Sequence, residues 1–118
     1  MSDDAIAVVI KVAGVSFGKN SGASEDRQVL LQECFTKQLK PEVRLVLEPN
    51  NPYDANAVKV EFKIDEQWRH IGYVPKAASA EVSQAYASGD IEKVECDTIA
   101  KVASKEVLWA SIKLTGKR

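Results

Sequence analysis

The residues Val58, Val60, Phe62 and Ile64 alternate with Lys59, Glu61 and Lys63. This two-residue period admits a strand with one face in a core and one in water, and it excludes a helix, whose neighbours on a face lie three and four apart. Val43, Leu45 and Leu47 alternate with Arg44 and Glu48 in the same way just upstream. Between the two runs lies "EPNNPYDANA", where prolines cannot donate to a strand ladder and asparagine and aspartate bond back to their own backbone. Strand, turn and strand follow from these residues alone.

The rest of the chain extends this pattern. Ile6 to Val12 reads as a first strand, and "FGKNSGASEDR" as a loop. Leu31, Phe35 and Leu39, with Leu30 and Cys34 beside them, form one apolar stripe and predict a helix from about Glu25 to Leu39 that Pro41 stops, with Ser24, Glu25 and Asp26 suiting its start. "DEQ" turns the chain, and "WRHIGYV" predicts a strand ending at Pro75. Ala78, Val82 and Tyr86 mark a second helix that Gly89 ends. Val94, Cys96, Thr98 and Ala100, then Leu108, Ala110, Ile112 and Leu114, predict two closing strands. Trp68 and Trp109 are expected to pack, and His70 to be a surface histidine on the opposite strand face from Tyr73. About six strands and two α-helices make an α+β domain, mostly antiparallel β, expected to curl into a small OB-like β-barrel.

Length and composition agree with one domain over residues 1–118, large enough to bury a core without disulfides. Cys34 and Cys96 lack CxxC spacing, and His70 is the sole histidine, so free buried thiols are expected and no metal or other cofactor. No apolar run reaches membrane-spanning length, and the start carries acid where a signal peptide carries base. The expectation is therefore a cytoplasmic or nuclear monomer that is neither secreted nor in a membrane. A formal charge of -1 argues against coating of duplex nucleic acid, where each neutralised phosphate adds affinity, and leaves room only for local recognition.

The order "VAGVSF" (12–17), strand, "NPYD" (51–54), strand, "IGYVPKAASAEV" (71–82) resembles the HIRAN domain, known from the N-terminus of fork-remodelling SNF2-type helicases. The resemblance implies an OB-like barrel that grips the 3′-hydroxyl end of single-stranded DNA. By position, it makes Tyr53 and Phe17 the walls of a pocket for the terminal base, which suits any sequence because every base has a π face. It makes Asp54 the acceptor for the terminal hydroxyl and a repellent to a 3′-phosphate, with Asn51 orienting the sugar or backbone and Lys76 meeting phosphate. Tyr73 stands where a histidine reaches DNA, and Ser16 where DNA-binding members carry a basic residue. The implied function is a non-enzymatic module serving DNA repair or fork remodelling beside a helicase or nuclease partner, with binding of about micromolar strength from one stacked base and a few charged contacts.

Two other readings stand beside this one. Asp54 with Glu61 and Lys63 matches the acid, acid-x-lysine pattern of Mg²⁺-dependent nucleases. An adaptor that binds a protein needs no catalytic set either, since small barrels host many functions.

Overall fold

The computed structural model describes residues 5–15, 27–101 and 107–117. Eight elements follow in order: β1 (Ala5–Lys11), α1 (Arg27–Thr36), β2 (Val43–Leu47), β3 (Val58–Ile64), β4 (Gln67–Tyr73), α2 (Lys76–Ala87), β5 (Ile91–Lys101) and β6 (Leu108–Lys117). The strands form two antiparallel sheets of three, ordered β1-β6-β5 and β2-β3-β4. The expected α+β composition is present. The sheets do not close into a continuous barrel: among the described residues they meet at single bridges, Ala13 with Tyr73 at one seam and Glu42 with Glu95 at the other. Each strand runs in ladder with its own sheet, and the two bridges join the end of β4 to the residues after β1 and the residue before β2 to the middle of β5.

The alternation that announced β3 places Val58, Val60, Phe62 and Ile64 in the core between the sheets. They pack with Ile71 of β4, Ala110 and Ile112 of β6, and Leu30, Leu31 and Cys34 of α1. On the outer face Glu61 is nevertheless buried, because Arg44 Nε donates to it at 2.6 Å and Lys59 Nζ lies 3.5 Å away. Trp68 and Trp109 are half-buried rather than core residues, each with a cation on its ring: the Arg44 guanidinium 4.5 Å from one centroid and the Lys11 ammonium 5.2 Å from the other.

Helix α1 is shorter than its stripe suggests. Gln38 takes a left-handed φ of 54°, its N–H returning to Phe35 O and that of Leu39 to Cys34 O, which caps the helix three residues before Pro41. Leu39 falls beyond this cap and is exposed, and Phe35, within the helix, is exposed as well. The expected helix start at Ser24 to Asp26 lies outside the described residues. At the end of α2 the same pair of bonds forms with Gly89 at φ 78°, Gly89 N–H to Tyr86 O and Asp90 N–H to Ala85 O, as its position predicts. Cys34 and Cys96 are both buried free thiols, pushed by burial up to about 11, so they stay protonated and behave as apolar core groups.

Candidate nucleic-acid interface

The connection between β2 and β3 owes its shape to Asn51. Its Oδ1 accepts the backbone N–H groups of Tyr53 at 2.8 Å and Asp54 at 3.1 Å, an Asx turn in which Pro52, locked in φ, sits between acceptor and donors. Its Nδ2 donates to Glu48 Oε1 at 3.1 Å. Tyr53 therefore has a fixed backbone and a side chain in water, 88% exposed. An aromatic held so far out gains nothing for folding by hydrophobic burial, and its ring faces are open to a ligand.

Asp54 points the other way, toward α2. Its Oδ1 accepts Asn56 N–H at 2.9 Å and its Oδ2 accepts the Ser79 hydroxyl at 2.8 Å. These bonds, the backbone one first, hold the carboxyl below its ordinary range, so at neutral pH it only accepts hydrogen bonds. Lys76, the first residue of α2, adds a positive charge nearby.

Tyr73, at the end of β4, donates its hydroxyl to Glu48 Oε1 at 2.8 Å. Burial would raise Glu48, but the bonds from Asn51 and Tyr73 and the charge of Lys59, 3.7 Å away, leave it below the usual carboxylate range. The His70 ring stands edge-on to Tyr73, centroids 4.9 Å apart. Simple alternation puts these two residues on opposite faces. A register shift opposite Val60 and Glu61 pairs Gly72 with Val60 and His70 with Glu61, leaving Ile71 as an extra residue, and this bulge turns His70 and Tyr73 to one side.

His70 is also not a surface group. Arg27 Nη2 donates to its Nδ1 at 3.2 Å, which requires the proton on Nε2, and that Nε2–H donates to Gly72 O at 3.1 Å. Arg27 Nη1 donates to Gly14 O at 2.8 Å. Burial and then the Arg27 charge push His70 below its ordinary 6.5. In the folded chain the neutral ring is favoured, so between that lowered value and 6.5 the unfolded chain binds more protons. The contribution to stability is full above pH 6.5 and is lost as pH falls through the folded value. Replacing His70 by glutamine is expected to reduce the slope of unfolding free energy against pH just below 6.5, measured by urea titration; an unchanged slope would contradict this placement.

Asn51, Tyr53, Asp54, Tyr73 and Lys76 all line one cavity of about 980 Å³ at the seam where Ala13 pairs with Tyr73. Five of the six expected site residues thus come together. Phe17 and its neighbour Ser16 lie outside the described residues. Arg27 and Glu48, which also line the cavity, escape a sequence reading because their partners are 13 to 43 and 3 to 25 residues away. The metal-dependent set is not assembled: Asp54 lines this cavity, whereas Glu61 and Lys63 do not. Glu61 is held by Arg44 and Lys59, and Lys63 lies 3.6 Å from Glu42 and 3.8 Å from Glu66. Among the described residues no group of three or more histidine, cysteine or acidic side chains could hold a metal ion.

A family model for the HIRAN domain matches residues 7–115. The chain belongs to the HIRAN domain family. Among solved structures, the HIRAN domain of human HLTF superimposes with a TM-score of 0.56 at 18% identity, over 100% of this chain and 84% of that one. A protein from Lactobacillus plantarum superimposes with a TM-score of 0.54 at 17% identity, over 95% of this chain and 96% of that one. At such identities the likeness is one of fold. No curated protein shows a significant match. No helix among the described residues of this HIRAN domain is long and apolar enough to cross a membrane.

Proposed function

We propose that this HIRAN domain is a non-enzymatic module that binds single-stranded DNA by its 3′-hydroxyl end and serves DNA repair or fork remodelling beside a helicase or nuclease. The observation that carries the reading is the turn at Asn51, which holds an 88% exposed Tyr53 and an ionised, acceptor-only Asp54 on the rim of the same cavity. A terminal base stacks on Tyr53 and the hydroxyl donates to Asp54. That carboxylate has spent two acceptor positions on Asn56 and Ser79, and its two oxygens offer about four. Lys76 meets the preceding phosphate, assisted by the first-turn amides of α2, which no side chain caps. The resemblance assigns the second wall of the base pocket to Phe17, which lies outside the described residues. The proposed working form is a monomer, since one chain brings Asn51, Tyr53, Asp54 and Lys76 to a single cavity.

The test is fluorescence anisotropy with short single strands ending in a 3′-hydroxyl. Tyr53→Ala is expected to raise Kd by about 5- to 150-fold, the equivalent of one base stack of roughly 1–3 kcal/mol. Asp54→Ala is expected to weaken the same complex at least severalfold. Wild-type affinity in both variants would overturn the reading, and a protein captured with equal strength by the Tyr53→Ala variant and the wild type would point to an adaptor instead.

A further inference from the structure

The side chain of Tyr73 lines the cavity, yet its polar end is committed inward. The hydroxyl donates to Glu48 Oε1 at 2.8 Å, and the same oxygen accepts Asn51 Nδ2 at 3.1 Å. Asn51 then holds the N–H groups of Tyr53 and Asp54 through its other amide atom. An asparagine side chain can flip, exchanging its oxygen and nitrogen, and here the flip is opposed: Glu48 as a carboxylate only accepts, so the nitrogen must face it and the oxygen must face the turn. Tyr73 cannot readily withdraw. Its backbone exchanges two bonds with Ala13, at 2.8 and 2.9 Å, and the His70 ring stands edge-on to its own at 4.9 Å. His70 in turn is held between Arg27 and Gly72 O. Glu48 is tied as well, its N–H donating to Ala57 O at 3.0 Å across the base of the loop and its carbonyl accepting Asn51 N–H at 3.0 Å.

We propose that Tyr73 and Glu48 are positioning residues, which act through Asn51 to hold Tyr53 and Asp54 in the conformation that receives the DNA end, and that Tyr73 is not itself a DNA ligand. This assignment rests on the proposed function for its consequence, although the geometry it describes exists without DNA. It replaces the direct contact that the position of Tyr73 implies. The hydroxyl that a ligand would need is already donated, and a tyrosine hydroxyl has one proton to give. Rigidity of the turn matters because each loop conformer that separates the base platform from the hydroxyl acceptor lowers the apparent affinity by its share of the population.

The test combines a measurement without DNA and one with it, on the full chain. Tyr73→Phe keeps the ring and removes only the donor. Amide hydrogen exchange at Tyr53 and Asp54, followed by NMR, is expected to quicken by about fivefold, with the urea midpoint close to wild type. Affinity for a 3′-hydroxyl single strand is expected to fall by a similar factor. Glu48→Ala should reproduce both effects, whereas Glu48→Gln, whose amide oxygen still accepts from Tyr73 and Asn51, should restore slow exchange and binding. Unchanged exchange in Tyr73→Phe together with weaker DNA binding would make Tyr73 a direct ligand and overturn the proposal, as would unchanged exchange and unchanged binding. Faster exchange in Tyr73→Phe, with no DNA binding by the wild type, would uphold the positioning pair and remove the proposed function.

Discussion

Substitution of Gly72 by alanine is expected to lower the unfolding free energy by about 3 kcal/mol, the upper end for forcing atoms into a packed site. A Cβ at this position would sit 2.3 Å from the carbonyl oxygen of Ala13 and 2.7 Å from a methyl carbon of Val12. The first obstacle is backbone, so no side-chain rotation relieves it. The strain falls on the bridge between Ala13 and Tyr73, which links the sheets at this seam and forms one wall of the cavity. Urea denaturation should show the lower midpoint, and the variant should bind DNA more weakly even at temperatures where it is folded. A midpoint within experimental error of wild type would mean that the two strands do not approach as closely as the structure has them.

Removal of the Gln28 amide is expected to cost about 3 kcal/mol as well, from several buried hydrogen bonds lost together at roughly 1–3 kcal/mol for each backbone group left unpaired. Gln28, only 8% exposed, behaves as a strand neighbour supplied by a helix. Its Nε2 donates to Leu108 O at 2.9 Å and to Val15 O at 3.0 Å, while its Oε1 accepts Leu108 N–H at 2.8 Å. Both polar groups of a residue at the start of β6 are thus satisfied by one side chain of α1. Gln28→Met separates the possible causes, because methionine fills a similar volume and makes none of these bonds. A loss of similar size to that of Gln28→Ala supports the hydrogen-bond account, and a near-neutral Gln28→Met variant would show that volume alone matters.

These two positions also mark the boundary of what sequence could show. The strands were legible wherever one face is apolar and the other charged, as in β3, and Gly89 announced the end of α2 because a left-handed cap favours glycine. The end of α1 was hidden, since Gln38 adopts the same conformation without a residue type that signals it. Gly72 reads as an ordinary strand residue until the approach of Ala13 gives it a reason. The turn at Asn51 was legible because its bonds span two and three residues. Its supports were not: Tyr73, His70 and Arg27 reach it through a β-bulge and through contacts between distant elements, and no local pattern encodes either. Family resemblance named Tyr53 and Asp54, while the structure supplied the physical reason they share a rim.

In the proposed function Asp54 reads the chemistry of a DNA end, and the most direct measurement compares the wild-type affinity for one single-stranded sequence carrying either a 3′-hydroxyl or a 3′-phosphate. Asp54 is ionised at neutral pH and offers acceptors only, so a terminal hydroxyl gains a bond there and a terminal phosphate meets like charge. Anisotropy at constant salt is expected to show the 3′-hydroxyl strand bound at least about tenfold more tightly, one charged hydrogen bond being worth roughly 1.5–3 kcal/mol. Equal affinity for the two ends would contradict the account.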